Sequence, residues 1–504
     1  MPGEAAAGVR RGLRFTRETS MASQQFQDFL AVLCALSAHR GGRPVEHFRV
    51  QESVLTHPDG ARRLSNPTLL LCVVGVLLPN ALSIGALIAG IGSPPRTSAI
   101  IAYATLLVVA RIVPPAVTVV LYLIIVAYDV VSTVSLLFGL APSEIVLALN
   151  LTAQLDLFAS PLYIALIAGL AALLAANIFV LVRKRETLRR GNIVAMMGFA
   201  LCFAATDLFA NTSAHYQFGT LYAAGKPMES AVAESGFHQA ALTGRAPRVV
   251  LVVVEALGHF ADPAHQAILL KPFLNADLRR QYDVSFGSTT YYGSTTAAEM
   301  RELCNTRESY REVLNGKTFD CLPEQMEKRG YSTISLHNFT GLFFGRYQWY
   351  PKLGFQERLF SNNIDPAPPR QCGGPFRGPC DADVVPFIER RLKAATNPTF
   401  FYWMTLSTHV PIAPHEGTPR LNCAEGGGRI GHVEVCYMTE LWLDLFNGLT
   451  QLARDLPGTE LLLVGDHAPP LWSKAGRNLF TPGKVTWVHL RPRTAAAKIS
   501  GLPQ

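Results

Sequence analysis

The chain has 504 residues, of which 49% are hydrophobic and only 16% charged, with a mean hydropathy of +0.21. Charge that far below the roughly one quarter usual in soluble proteins argues against an ordinary soluble chain and for membrane segments. The net charge of +8 is no nucleic-acid signature, because many basic residues flank apolar segments, where membrane topology accounts for them.

Residues 1–66 read as a cytoplasmic N-terminal segment. It is basic and irregular to about Gln25, with Arg10, Arg11, Arg14 and Arg17, and has no signal-peptide cleavage pattern. Met21 offers an alternative start. Phe26–Ser37 is too short to cross a bilayer and reads as an interfacial or soluble helix.

Residues 67–211 read as a domain of about five transmembrane helices. They are Thr68–Ile91 (mildly broken at Pro79), Thr97–Ala110, Ala116–Leu137, Pro161–Leu181 and Asn192–Ala210. The second falls short of the roughly 20 residues a bilayer requires. Ala141–Ser160 carries Glu144, Asn150 and Asp156 among leucines, like an interfacial segment. Basic residues crowd the amino-terminal part, the Arg111 turn and Arg183–Arg190, whereas the alternate loops carry Arg96 at most. The positive-inside rule then puts the amino terminus in the cytoplasm and, after five crossings, everything beyond about Asn211 on the outer face.

Residues 212–246 are polar and Ala/Gly-rich, a linker lying along the membrane surface. From 247 to 504, strand-like runs (Val249–Val254, Tyr331–Leu336, Thr399–Thr405, Glu460–Val464, Val485–Leu490) alternate with helical stretches (Ala297–Asn305, Cys321–Arg329, Val384–Ala394, Met438–Asp455). That alternation predicts an α/β domain with a mostly parallel sheet.

Of nine cysteines, Cys304, Cys321, Cys372, Cys380, Cys423 and Cys436 all follow the last apolar segment. An even count confined there suggests disulfides in an oxidising compartment, with buried free thiols as the alternative. Their order suggests three neighbour-with-neighbour pairs, although six cysteines allow about 15 connectivities.

Three clusters carry chemistry. Arg248–Gly258 (RVVLVVVEALG) is an apolar run with the single carboxylate Glu255 at its carboxyl end. In open α/β sheets, ligands bind outside the carboxyl ends of strands. In Gly293–Met300 (GSTTAAEM), Thr295 and Thr296 precede a run of good helix formers. A hydroxyl at a helix amino terminus feels the positive dipole end, which favours an alkoxide nucleophile and surrounding phosphate oxygens. The plain alternative is an N-cap with Glu299 as capping-box partner. In LLLVGDHAPPLW, Asp466 and His467 directly follow a strand ending in Gly465. Glu255, a Thr hydroxyl, Asp466 and His467 together make a tetrahedral oxygen-and-nitrogen set suited to zinc, with manganese and magnesium as alternatives.

Order and spacing of these motifs resemble the membrane-anchored branch of the alkaline phosphatase/sulfatase superfamily, which includes lipoteichoic acid synthase and the phosphoethanolamine transferases. The resemblance covers roughly Thr68 to the carboxyl terminus. It implies about five membrane helices followed by an outer α/β/α sulfatase-like domain, with Glu255, Thr295, Asp466 and His467 on one metal. Thr-Thr-Ala-Ala-Glu (Thr295–Glu299) favours Thr295 as nucleophile over Thr296. Met326–Phe355 is similar to the same branch, which implies that His337 and Arg346 contact the head group. In STHVPIAP, His409 stands where the family keeps a phosphate-contacting His. His337 and His409 as structural histidines, and Arg346 packed among Phe343, Phe344, Tyr347, Trp349 and Tyr350, are the plain alternatives. A late His-Gly segment found in the phosphoethanolamine transferases is not found here.

The resemblance implies transfer of an alcohol phosphate (phosphoethanolamine or glycerophosphate) from a phospholipid donor to a lipid or glycan acceptor, through a phospho-threonine. It implies residence in a bacterial plasma membrane with the catalytic domain on the periplasmic or outer face. Nucleic acid is not an expected partner. The rival readings are a phosphate- or sulfate-ester hydrolase acting on envelope polysaccharide, and a non-enzymatic lipid sensor that keeps the fold.

Overall fold

The structure is a computed structural model that describes residues 67–91, 93–138, 142–143, 145, 155–156, 158, 160–217 and 227–493. The expectations for Met21 and Phe26–Ser37 lie outside them. Among the described residues, three helices are long and apolar enough to cross a membrane: Pro115–Leu137, Pro161–Arg183 and Ile193–Asn211. Pro67–Leu77 and Ala81–Ile88 would make a fourth span only if taken together, and they are bent by 71° at the break that holds Pro79. That break is sharper than the mild one expected from the sequence, and Asn80 inside it returns its amide to the Val76 carbonyl at 2.6 Å. The helix Thr97–Val109 has 13 residues, about 20 Å of rise, so the count of full-length spans falls short of five.

Among the described residues, the chain nevertheless runs between the two ends of the bundle five times. At the basic end, the Asn192 N–H donates to Thr68 Oγ1, and Arg185 and Arg189 donate to the Ala110 and Arg111 carbonyls. At the other end, Ile91 bridges to Ser473 of the following domain, and the Arg96 N–H donates to Asp207 Oδ2 at 2.7 Å. The short helix is pinned there, since Arg96 Nε also donates to Asp129 Oδ1 at 2.8 Å and Tyr103 to Oδ2 at 3.0 Å. Both partners of the Arg96–Asp129 pair are buried, as charges inside an apolar bundle must be paired.

After the bundle comes an eight-stranded mixed sheet. Its strands are β1 (Arg248–Val254), β2 (Gly258–Phe260), β3 (Tyr282–Thr290), β4 (Ser332–His337), β5 (Glu357–Phe360), β8 (Thr399–Met404), β9 (Thr459–Gly465) and β10 (Phe480–Pro492); β6 (Gln371–Cys372) and β7 (Gly378–Pro379) form a separate ribbon. The order is β2-β10-β9-β1-β8-β4-β5, with β3 on β10. β9, β1, β8, β4 and β5 run parallel, and β10 is antiparallel to β9, β2 and β3. β1 is buried along Val249–Val254, because cores cover both of its faces. Val250, Val252 and Val254 point to one with Trp442 and Phe446, whereas Val249, Leu251 and Val253 point to the other with Met300 and Trp349.

The described part of the expected linker is not a surface strap. Ala231–Glu234 and Phe237–Leu242 are helical. Phe237, Ala231 and Ala241 are buried in the same cluster as Val249 and Val253, because that apolar face has a sheet to cover. Three disulfides join Cys304–Cys321, Cys372–Cys380 and Cys423–Cys436, while Cys72 and Cys202 are free.

Candidate active site

Four adjacent strands end side by side in the order β9, β1, β8, β4, and each delivers a polar residue at its carboxyl end. These are Asp466–His467 after β9, Glu255 after β1, the 405–409 turn after β8 and His337 closing β4. Parallel register produces this alignment: each strand end carries backbone groups with no further partner, and loops fold back to satisfy them. The Glu255 N–H donates to Thr405 Oγ1 at 2.9 Å, its carbonyl accepts from Thr408 Oγ1 at 2.5 Å, and the Asp466 N–H donates to the Val254 carbonyl. Gly465 is needed here, since a Cβ would come within 2.0 Å of the Leu257 carbonyl oxygen.

The fifth element is the helix Thr295–Cys304. It begins at Thr295 with Ser294 as N-cap residue. The helix therefore does not start near Ala297, and Thr296 is not its cap. Nor is Glu299 a capping-box partner, because it is committed to Arg346. Thr295 lines the cavity together with Glu255 and His467. Thr296 is buried in the first turn and is not among the cavity's lining residues.

Glu255, Asp466 and His467 place their ligand atoms within 4.8 Å of one another. His467 Nδ1 donates to the Ala468 carbonyl at 3.0 Å, which leaves Nε2 with a lone pair. That nitrogen lies 3.3 Å from Asp466 Oδ2, 3.8 Å from Glu255 Oε1 and 3.5 Å from Thr295 Oγ1. Asp466 Oδ1 accepts from the N–H groups of Ala256 and His467, at 2.7 and 2.6 Å, but Oδ2 is buried without a hydrogen-bond partner. These oxygen and nitrogen donors could hold a cation between them. A tetrahedral ion with ligand distances of about 2.0–2.2 Å sets its ligands about 3.3–3.6 Å apart, so the residues fit a divalent metal. Burial and the adjacent Asp466 charge push the Glu255 carboxyl well above its usual range, a conflict that a bound cation relieves.

Around this centre lies a cavity of ≈ 240 Å³. Its polar wall includes His337, His409 and Arg346, so these three border the same space as Glu255, Thr295 and His467, with Asp466 buried just behind it. His337 Nδ1 donates to the Met404 carbonyl and His409 Nδ1 to the Val410 carbonyl. Burial holds His337 well below the usual range, helped by Arg346, and brings His409 down to about 4, helped by His467. Both rings are therefore neutral near pH 7, with Nε2 an acceptor. Arg346 is buried, gripping Glu299 through Nε and Nη2 at 3.1 and 2.8 Å, while Nη1 donates to the Phe343 carbonyl. Its guanidinium also lies 5.6 Å from the Phe344 ring centre. Glu299 additionally accepts from Tyr402 at 3.1 Å and from Tyr350.

The apolar wall joins Phe339, Phe343, Phe344 and Phe376 to Leu137, Ile145, Leu155 and Tyr163 from the bundle side. Sequence reasoning missed these bundle residues, as well as Glu299, Arg301, Glu302 and Asp381. Their partners lie tens to hundreds of residues away, and only Glu299, one turn beyond Thr295, had a local signal.

Residues 247–428 match the sulfatase family model. The match lies within the sheet domain of this chain. No curated protein matches it by sequence. Among solved structures, this chain is similar to the lipoteichoic acid synthase LtaP from Listeria monocytogenes (15% identity, TM-score 0.37, covering 49% of this chain and 66% of that one). It is similar to the phosphoglycerol transferase GacH of Streptococcus pyogenes in complex with sn-glycerol-1-phosphate (17%, 0.33, 50% and 73%). A further likeness is to the zinc complex of the C-terminal periplasmic domain of EcEptC from Escherichia coli (14%, 0.34, 50% and 74%). The chain thus spans just under two thirds of the first neighbour's length. The functional reading rests on the residues rather than on these likenesses.

Proposed function

We propose that this protein is a membrane-bound phosphotransferase that moves an alcohol phosphate from a phospholipid to an envelope lipid or glycan. The observation that carries it is the approach of Thr295 Oγ1 to His467 Nε2, itself grouped with the Asp466 and Glu255 ligand atoms, at a cavity whose apolar wall is shared with the bundle. The donor's glycerol backbone and acyl stems have somewhere apolar to lie while the head group reaches the strand ends.

Glu255, Asp466, His467 and Thr295 would hold a divalent cation, most simply zinc, which lowers the pKa of a hydroxyl and offsets charge developing on phosphorus. Thr295 Oγ attacks the phosphorus, the bond to diacylglycerol oxygen breaks, and a phospho-threonine remains. Attack by the acceptor hydroxyl on that phosphorus frees Thr295 again. The neutral rings of His337 and His409 accept protons or hydroxyl hydrogen bonds rather than donate to phosphate, so head-group or acceptor hydroxyls suit them. Among the described cavity-lining residues the sole carboxylate is Glu255, which is engaged at the metal set, and the Arg346 charge is balanced by Glu299, so no carboxylate is left to pair with an ammonium. That balance favours glycerophosphate over the cationic phosphoethanolamine. The active face would lie outside the plasma membrane.

The test compares Thr295→Ala with Thr296→Ala in purified full-length protein given phospholipid vesicles. The expected result is loss of turnover and of any phosphorylated-threonine peptide in Thr295→Ala, with Thr296→Ala still active. Normal turnover by both variants overturns the phospho-threonine route, and release of free alcohol phosphate without any acceptor product favours the hydrolase.

A further inference from the structure

The helix that presents Thr295 also carries, two turns on, a guanidinium with no solvent contact. The Arg301 side chain is 0% exposed, as is its neighbour Glu302. Arg301 Nη2 donates to the Gly465 carbonyl at 2.7 Å and Nη1 to the Asp466 carbonyl at 3.1 Å, while Nε donates to Glu302 Oε1 at 2.5 Å. Gly465 is the last residue of β9 and Asp466–His467 follow it, so these carbonyls lie where the sheet ladder stops. Two consecutive carbonyls need two donors held at a fixed spread, which a planar fork supplies and a single ammonium does not. Glu302 neutralises the buried charge and accepts from the N–H groups of Ala231 and Val232 at 3.3 and 2.9 Å.

We infer that Arg301 is a positioning residue for the metal centre: it locks the Asp466–His467 backbone to the helix bearing Thr295, fixing the ligand atoms relative to the nucleophile. The inference rests on the metal reading above. Asp466 is held at Oδ1 by two N–H groups and at its carbonyl by Arg301, so Oδ2 is the free atom and has one direction to face. The separation of Thr295 Oγ1 from His467 Nε2 is set by a strut on the same helix. Removing groups that orient metal ligands typically costs about 10–100-fold in metal affinity. A side chain that only satisfied buried carbonyls would instead lower stability and leave the affinity of the folded protein alone.

The test uses full-length protein in detergent, titrated with zinc against a competing chelator, with cobalt(II) as a spectroscopic substitute. Arg301→Lys keeps the charge beside Glu302 but loses the fork. A second variant, Arg301→Met with Glu302→Gln, removes the pair together and leaves no lone buried charge. His489→Gln is the control for destabilisation alone. His489 bridges Glu460 at 2.5 Å and the Ser235 carbonyl at 3.1 Å near the start of β9, the end of that strand away from Asp466. Expected are zinc binding weaker by about 10–100-fold and a changed cobalt absorption band in both Arg301 variants. The control should lose thermal stability but keep wild-type zinc affinity. Unchanged zinc affinity in either folded Arg301 variant overturns the inference, as does an equal loss in the control. A wild-type protein that binds no zinc overturns the metal reading instead.

Discussion

The Glu299–Arg346 pair can be taken apart in a way that separates holding the fold from serving the site. Both side chains are essentially unexposed, at 0% and 1%, and the carboxylate takes Arg346 Nε and Nη2 as well as the Tyr350 and Tyr402 hydroxyls. Arg346→Met leaves that carboxylate buried with two phenols for company, and Glu299→Gln strands the guanidinium. Breaking a buried pair from one side costs about 3–5 kcal/mol. In the double variant neither charge remains and Gln can still accept from the tyrosines. Its loss should fall below the sum of the two single losses, with a coupling toward the upper end of roughly 0.5–3 kcal/mol. Denaturant titration of the full-length protein, followed by tryptophan fluorescence, reads the stabilities, and lipid turnover reads the site. Stability should recover in the double variant while turnover does not, because Arg346 borders the cavity. Additive stability losses would show that the pair is not coupled, and a fully active double variant would show that Arg346 serves only the fold.

Two further outcomes are expected. Zinc at 100 times its dissociation constant should stabilise the chelator-stripped protein by about 2.7 kcal/mol, read as a rise in Tm; no shift with any divalent cation counts against the metal set. Asp381, buried and hydrogen-bonded to the Leu406 and Ser407 N–H groups, has its carboxyl raised from 3.8 to about 6 by burial. Between those values the folded state binds a proton that the unfolded state has released, so its contribution falls as pH rises, by roughly 3 kcal/mol in all at about 1.4 kcal/mol per pH unit. His409, brought down to about 4, works in the opposite sense over an overlapping window. The informative quantity is therefore the stability difference between wild type and Asp381→Asn, which should slope across that range; a flat difference refutes the assignment.

What the sequence disclosed follows from burial. β1, β8 and β9 are covered on both faces, so their interiors read as unbroken apolar runs whose first charged residue lies just past the strand end, as Glu255 and Asp466 do. β3 has no apolar run or clean alternation to announce it: within Tyr282–Thr290, Asp283, Ser285 and Phe286 are exposed, and the strand pairs with β10. The helix Thr97–Val109 reads from its apolar composition as a span ending at Ala110, and nothing in that composition shows that its amino end is clamped by the Arg96–Asp129 pair. Arg301 and Glu302 are charged residues that nothing in the sequence marks as buried. Their partners at Gly465 and Ala231 are set by tertiary packing, and no periodicity announces it.

The bundle and the sheet domain touch at several points: Ile91 bridges Ser473, the Lys474 N–H donates to the Gly90 carbonyl, the Asp156 N–H donates to the Pro375 carbonyl, and Arg311 Nη1 donates to Ser143 Oγ. Moorings on different loops, with apolar side chains from both parts meeting in one chamber, fix the working height of Thr295. A tool clamped at one elevation cannot chase its reactants into solution. If the proposed lipid-to-envelope transfer holds, its supply is whatever drifts past in the plane of the bilayer, and its rate should track the surface density of donor lipid rather than bulk concentration. Under the same reading, an acceptor that grows away from the membrane would have to bend its reacting end back down to the clamp.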